Sequence, residues 1–122
     1  MSKRILTVDD SKTIRDMLNF TLSGAGFSVA QAEDGVDGLR VLAATPDVEV
    51  IITDINMPNM DGFTFIEHVR KDPLHKSTPI LVLTTESGAD KKARARQSGA
   101  TGWIVKPFDP NKLLDVIRKV LP

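Results

Sequence analysis

The chain has 122 residues, of which 41% are hydrophobic and 26% are charged, a composition that excludes a disordered chain and suits one globular domain. It contains no cysteine, which excludes disulfides and thiolate metal sites. Its 16 basic residues balance 16 acidic ones, which argues against nucleic acid as a partner. No apolar run is long enough for a signal peptide or a membrane span, so we expect a cytoplasmic chain that binds no membrane.

Short apolar segments alternate along the chain with longer, helix-like ones. The segments that resemble strands are 5–8, 28–32, 48–53, 80–83 and 103–105. Three of them are continuous runs of β-branched residues or leucine, which is typical of strands buried on both faces of a parallel sheet. The segments between and after them that resemble helices are 11–23, 35–44, 62–70, 89–98 and 110–121.

Five strands that alternate with five helices predict a βα repeat, and right-handed crossovers then place helices on both faces of an open sheet. A closed barrel would need eight strands. No linker, repeat or low-complexity tract interrupts the pattern. We therefore predict one domain over residues 1–122, and we expect the chain to be complete because no linker follows its last helix.

Polar residues follow four of the predicted strands, at the sheet edge where ligands bind in doubly wound folds. In chain order these residues are Asp9 and Asp10, Asp54, Thr84 and Thr85, and Lys106. The remaining strand ends in Glu33-Asp34, which we expect at the edge of the sheet and away from this group. The pattern predicts three carboxylates, a hydroxyl group and an ammonium group at one site.

Three neighbouring carboxylates repel one another by about 3 kcal/mol per pair, at roughly 5 Å and an effective dielectric near 20. Lys106 offsets only one unit of this negative charge, and a divalent cation would offset most of the rest. The available ligands are oxygens, without cysteine or clustered histidine, which favours Mg²⁺ over zinc. An aspartate beside Mg²⁺ and a lysine can act as a nucleophile toward phosphorus, because both cations stabilise the transferring phosphoryl oxygens. The residues therefore suit formation of an acyl phosphate on an aspartate.

In this order, the motifs resemble those of the receiver domains of two-component response regulators, most of all the single-domain chemotaxis (CheY) type. The motifs are Val8-Asp9-Asp10-Ser11, Thr53-Asp54-Ile55-Asn56-Met57-Pro58, Asp61-Gly62, Leu83-Thr84, Gly99-Ala100 and Lys106-Pro107-Phe108. The resemblance covers essentially the whole chain. It implies an α/β, flavodoxin-like doubly wound (βα)5 fold with a five-stranded parallel sheet in the order 2-1-3-4-5.

The resemblance also implies a role for each site residue. Asp54 would be the phosphoacceptor, and the Lys106 side chain would pair with the phosphoryl group. The peptide bond from Lys106 to Pro107 would be cis. Mg²⁺ would be bound by the carboxylates of Asp10 and Asp54, by the backbone carbonyl of Asn56, and through water by Asp9. Thr84 would move to contact the phosphoryl group, and Trp103 would be the aromatic switch residue.

Two positions depart from the usual chemotaxis pattern. Trp103 is larger than the tyrosine usual there, which would restrict its change of rotamer. Thr85 stands where a smaller residue is common and would narrow access to the site. Asn56 and Glu86 match the pattern and would tune dephosphorylation.

The implied phosphodonor is a histidine kinase, and the implied output partner binds the face formed by the fourth helix, fifth strand and fifth helix. In chemotaxis that partner is the flagellar motor switch. The chain would act as a monomeric switch that catalyses only its own phosphorylation and dephosphorylation, and not as an enzyme. Inside the family, a phosphate sink or an adaptor regulator is an alternative function.

Two functions outside the family fit less well. A phosphohydrolase of the haloacid dehalogenase type needs a second aspartate two residues after the nucleophile, where this chain has Asn56. A flavodoxin-like cofactor module needs a phosphate-cradling glycine or hydroxyl loop after the first strand, where this chain has Asp9-Asp10.

Several of these residues also have purely structural interpretations. The pair Asp9-Asp10 or Asp54 could cap a helix or turn, and Trp103 could pack in the core. The basic run in the fourth helix could be a solvated face or a partner site; it comprises Lys91, Lys92, Arg94 and Arg96. We expect His68 and His75 to be surface residues.

Overall fold

The computed structural model describes residues 2–121, so that Met1 and Pro122 of the predicted domain lie outside the described residues. The strands are β1 (Arg4–Val8), β2 (Ser28–Ala32), β3 (Val48–Thr53), β4 (Ile80–Thr84) and β5 (Gly102–Val105). The helices are α1 (Lys12–Gly24), α2 (Gly35–Ala44), α3 (Gly62–Lys71), α4 (Ala89–Ser98) and α5 (Pro110–Val120). A short 3₁₀ turn, Pro73–His75, precedes β4.

The five strands form one parallel sheet in the order β2-β1-β3-β4-β5. This confirms the predicted flavodoxin-like order. Successive strand residues face opposite sides, as the pleat requires: Ile5 packs with the cluster that α1 and α5 cover, and Leu6 packs with the cluster that α2, α3 and α4 cover. The central strands are buried on both faces, and their carboxyl ends meet at one edge.

Four helices begin at a side-chain cap. Ser11, Asp34, Asp61 and Asp109 each accept a hydrogen bond from a backbone N–H in the first turn of the helix that follows. The fourth helix, α4, begins after Gly88 without such a cap. The predicted helix bounds are correct to within one residue, because caps and terminating glycines are local signals.

The prediction that His75 lies at the surface is wrong, since only 2% of the residue is exposed. Its Nδ1 lies 2.9 Å from Thr78 Oγ1. The 3₁₀ turn folds the chain under Arg70, whose guanidinium donates to the backbone carbonyls of His75, Thr78 and Gly99. His68, on the outer face of α3, is exposed as predicted.

Within residues 2–121, no helix combines the length and the apolar character needed to cross a membrane.

Candidate phosphorylation site

The structure brings the three predicted carboxylates together. One oxygen from each of Asp9, Asp10 and Asp54 lies within 4.8 Å of the other two. Asp9 and Asp54 are buried and Asp10 is exposed. The cluster forms because Asp9 and Asp10 follow β1 and Asp54 follows β3, and these strands are neighbours in the sheet.

Lys106 lies between the two buried carboxylates. Its Nζ donates to Asp9 Oδ2 at 2.8 Å and to Asp54 Oδ2 at 2.9 Å. The side chain comes from the end of β5, and the bond from Lys106 to Pro107 is cis, as the sequence analysis expected. One ammonium group therefore contacts two of the three carboxylates, and its single positive charge offsets one unit of their negative charge.

Burial and hydrogen bonding shift two pKa values at this site. Burial raises the pKa of Asp9, although hydrogen bonds from Lys106 and from the Ser11 N–H act in the opposite direction. Burial lowers the pKa of Lys106, but its hydrogen bonds to Asp9 and Asp54 outweigh this effect and raise that pKa above its ordinary value. The hydrogen bonds therefore favour the charged form of Lys106, whereas burial favours the protonated form of Asp9.

Backbone groups hold the two buried carboxylates in place. The Ser11 N–H donates to Asp9 Oδ1 at 2.9 Å, and the Ile55 N–H donates to Asp54 Oδ1 at 2.6 Å. The helix cap is Ser11, whose hydroxyl accepts from the Ile14 N–H, so the alternative in which Asp9-Asp10 caps α1 does not describe the structure. The carboxylates of this pair are directed into the cluster instead.

The loop from β3 to α3 closes tightly behind Asp54. The Gly62 N–H donates to the Ile55 carbonyl at 2.8 Å. A Cβ atom at Gly62 would collide with the Asp54 backbone carbonyl, so only glycine allows this approach. Gly62 belongs to the motif Asp61-Gly62, but no local pattern predicts this constraint, because it depends on two segments that meet only in the fold.

A second group of predicted residues meets at Glu86, in the loop after β4. Asn56 Nδ2 donates to Glu86 Oε1 at 3.1 Å, and Trp103 Nε1 donates to the Glu86 carbonyl at 3.1 Å. The Glu86 N–H lies 3.4 Å from Thr84 Oγ1. Trp103 is half-buried, and its ring packs against the core while its Nε1–H donates to Glu86. Thr85 is exposed.

The remaining polar residues lie elsewhere. Asp34 caps α2 and accepts from Asn59 Nδ2 at 2.7 Å, outside the carboxylate cluster, as expected for the end of β2. The Asn59 backbone has a positive φ of 66°, and the sequence analysis did not single this residue out. In the basic run of α4, the guanidinium carbon of Arg94 lies 4.1 Å from the centre of the Phe63 ring, whereas Lys92 and Arg96 border a cleft beside Trp103.

Arg15 is a site residue that the sequence analysis missed. Its Nη1 donates to the backbone carbonyl of Asp9 at 2.7 Å. A basic residue on the second turn of the helix that follows an acidic pair is a signal that could have identified it, because that turn lies beside the strand end.

The carboxylate cluster fits a hard divalent cation. All its donors are oxygens, and the carboxylates are held close together with one lysine between them. Asp10 is exposed and can bind a cation without breaking a bond to Lys106. Asp9, Asp10 and Asp54 are therefore the residues that could hold Mg²⁺, and an aspartate beside a cation and a lysine can accept a phosphoryl group.

Comparisons with known proteins agree with this geometry. The family model for the response regulator receiver domain matches residues 5–118. The chemotaxis protein CheY1 of Helicobacter pylori is 41% identical over 97% of this chain and 96% of that protein. A CheY homologue of Campylobacter jejuni is 39% identical over 97% of this chain and 92% of that protein.

A solved structure of the Vibrio cholerae chemotaxis protein CheY4 superimposes with a TM-score of 0.95 at 45% identity. The match covers 99% of this chain and all of that one. Fold, carboxylate cluster and sequence thus lead to one assignment. The chain belongs to the response regulator receiver family and is a signalling receiver domain of the CheY type.

Proposed function

We propose that this chain, working as a single receiver domain of residues 1–122, accepts a phosphoryl group on Asp54 from a histidine kinase in a Mg²⁺-dependent reaction. The observation that carries the proposal is the contact of Lys106 with Asp54 inside a cluster of three carboxylates. A buried lysine paired with the nucleophile and an excess of negative charge are what a phosphoryl acceptor with a divalent cation requires.

In the transfer step, a carboxylate oxygen of Asp54 attacks the phosphorus of a phosphohistidine. The new O–P bond forms as the N–P bond breaks, and the imidazole nitrogen leaves with the electron pair. Lys106 holds Asp54 at 2.9 Å and supplies an ammonium group for the phosphoryl oxygens. When bound by Asp10, Asp54 and the Asn56 carbonyl, with Asp9 through water, Mg²⁺ would stabilise the charge on those oxygens.

The acyl phosphate is removed when water attacks the phosphorus and the Asp54 carboxylate leaves. We propose that the pair formed by Asn56 and Glu86 tunes this step, because Asn56 follows Asp54 by two residues and its amide donates to the Glu86 carboxylate at 3.1 Å. Thr85 is exposed beside it and would narrow the entrance. Asn56 cannot be an acid/base catalyst as an aspartate could, which favours a switch over a phosphohydrolase.

Switching would begin when Thr84 contacts the new phosphoryl group. Thr84 is fully buried at the end of β4, and its hydroxyl already lies near the Glu86 N–H. Because Trp103 donates to the carbonyl of the same Glu86, movement of Thr84 and the state of Trp103 are linked through one loop residue. We propose that this linkage changes the face formed by α4, β5 and α5.

The partner on that face would be the flagellar motor switch, as the similarity to chemotaxis proteins suggests, and the chain would act as a monomer in the cytoplasm. A phosphate sink or an adaptor regulator would share the chemistry but would not bind the motor. A pull-down with the purified motor switch protein separates these functions. Phosphorylation-dependent binding supports the proposed output, and no binding in either state contradicts it.

The site assignment is tested by incubation with acetyl phosphate, with and without Mg²⁺, followed by intact mass. We expect a Mg²⁺-dependent, base-labile adduct on the wild type and none on Asp54→Asn, because an amide is not a nucleophile toward phosphorus. Asp61→Asn is the matched control, since asparagine also caps a helix. Normal phosphate uptake by Asp54→Asn would refute the assignment.

A further inference from the structure

The guanidinium of Arg15, the fourth residue of α1, reaches back to the backbone of Asp9, beside the carboxylate cluster. Its Nη1 donates to the Asp9 carbonyl oxygen at 2.7 Å, and the side chain is half-buried. A hydrogen bond from a charged donor is among the stronger kinds in proteins. The carbonyl that it holds belongs to the peptide unit between Asp9 and Asp10, so the bond fixes the orientation of that peptide.

Asp10 depends on this backbone more than its neighbours do. Asp9 and Asp54 each accept a hydrogen bond from a backbone N–H and another from Lys106. Within residues 2–121, by contrast, no side-chain hydrogen bond reaches the exposed carboxylate of Asp10. The backbone, including the peptide unit that precedes Asp10, therefore sets where its Cα–Cβ bond points and which positions its carboxylate can reach.

We infer that Arg15 is a positioning residue, which holds the Asp9-Asp10 peptide so that the Asp10 carboxylate points into the cluster and binds a divalent cation. The inference rests on the proposed function, because it assumes that the cluster binds Mg²⁺. Arg15 acts through the backbone and does not itself contact the reacting atoms.

Two possible roles of Arg15, as a nearby positive charge or as a positioning residue, predict opposite changes in Mg²⁺ affinity when it is removed. If Arg15 were only a nearby positive charge, its removal would strengthen binding of a cation through Coulomb's law. If Arg15 positions Asp10, its removal weakens binding, because groups that orient metal ligands contribute about 10- to 100-fold to affinity. The direction of the change therefore separates the two roles.

Lys12 provides a matched control on the same helix. It stands one turn nearer the cluster in sequence, and its side chain is 80% exposed and paired with Asp16 at 2.8 Å. Lys12→Gln removes the same unit of charge from the same region without touching the Asp9 carbonyl. It reports the effect of charge alone.

The experiment measures Mg²⁺ affinity by calorimetric titration of the full chain, for the wild type, Arg15→Gln, Arg15→Lys and Lys12→Gln. We expect about a tenfold weaker affinity for Arg15→Gln. We expect an unchanged or slightly tighter affinity for Lys12→Gln, and partial recovery in Arg15→Lys, since an ammonium group can still donate to the carbonyl. Urea unfolding without and with Mg²⁺ gives a second readout, because a weaker site gains less stability from the cation.

If Arg15→Gln binds Mg²⁺ as tightly as the wild type or more tightly, the positioning role is overturned and the proposed function stays intact. A variant that loses stability without Mg²⁺ but keeps its Mg²⁺ affinity also overturns it, since Arg15 would then be merely structural. If Arg15→Gln does not fold, Arg15→Met, which also cannot donate to the Asp9 carbonyl as a cation, takes its place, and the same Mg²⁺ affinities overturn or support the positioning role. A wild type that binds no Mg²⁺ overturns both proposals.

Discussion

Replacement of Lys106 by methionine tests the electrostatic description of the site. The variant keeps the length of the side chain but removes the charge between Asp9 and Asp54. At 2.8 and 2.9 Å and an effective dielectric of about 20, each lost attraction is about 6 kcal/mol. The remaining repulsion between the two carboxylates, within 4.8 Å of each other, is about 3 kcal/mol.

Most of the lost attraction is offset, because the buried ammonium group no longer has to be taken out of water. Removal of one partner from a buried ion pair costs about 3–5 kcal/mol in practice, and we expect a loss of that size in the free energy of unfolding at pH 8 without Mg²⁺. The wild-type contacts involve Lys106, Asp9 and Asp54 side chains that are only 11%, 2% and 10% exposed, so solvent screens them little.

The expected loss depends on pH in a defined direction. The pKa of Asp9 is raised in the folded protein, and removal of Lys106 raises it further, because the lysine is one of the groups that lower it. A carboxyl group whose folded pKa is raised binds its proton more readily in the folded state, so lower pH relieves the destabilisation. We therefore expect the difference from the wild type to become smaller as the pH is lowered from 8.

Urea unfolding, followed by the fluorescence of Trp103 at several pH values, measures this difference. Added Mg²⁺ should also reduce it, because the cation replaces part of the missing charge. Lys12→Met is the matched control: its ion pair has the same 2.8 Å distance but is 80% and 60% exposed, so we expect a loss of at most about 0.5 kcal/mol. A loss under about 1 kcal/mol for Lys106→Met, or a loss independent of pH, would refute the reasoning.

Two further substitutions test the packing around the site, both by urea unfolding. Gly62→Ala should lower the free energy of unfolding by about 1–3 kcal/mol, because the new Cβ collides with the Asp54 carbonyl. The control Gly24→Ala, which has open space at the end of α1, should be neutral or stabilising. Equal effects of the two substitutions would contradict the close approach at Gly62. Arg70→Met leaves three backbone carbonyls without their donor and should lower the free energy of unfolding by about 3 kcal/mol. The control Arg118→Met, at an exposed arginine, should change it only slightly. A stable Arg70→Met would show that water replaces the guanidinium at no cost.

The alternation of strands and helices could be predicted from the sequence, because hydrophobic periodicity, caps and terminating glycines are local signals. The position of Asp9, Asp10, Asp54 and Lys106 at one edge of the sheet could be predicted as well, since parallel strands end on the same side. The strand order and the roles of single residues followed only from the resemblance to a family.

Contacts between distant segments were decided by the tertiary structure alone. Lys106 meets Asp9 across 97 positions of sequence and shares its charge with Asp54, and no local pattern contains that geometry. His75 was predicted at the surface but is buried, because it lies in the 3₁₀ turn whose backbone carbonyl accepts a hydrogen bond from Arg70. The sequence by itself determined which chemical groups stand at the strand ends, and packing decided which of them touch, because burial and hydrogen bonding depend on all the elements that surround a residue.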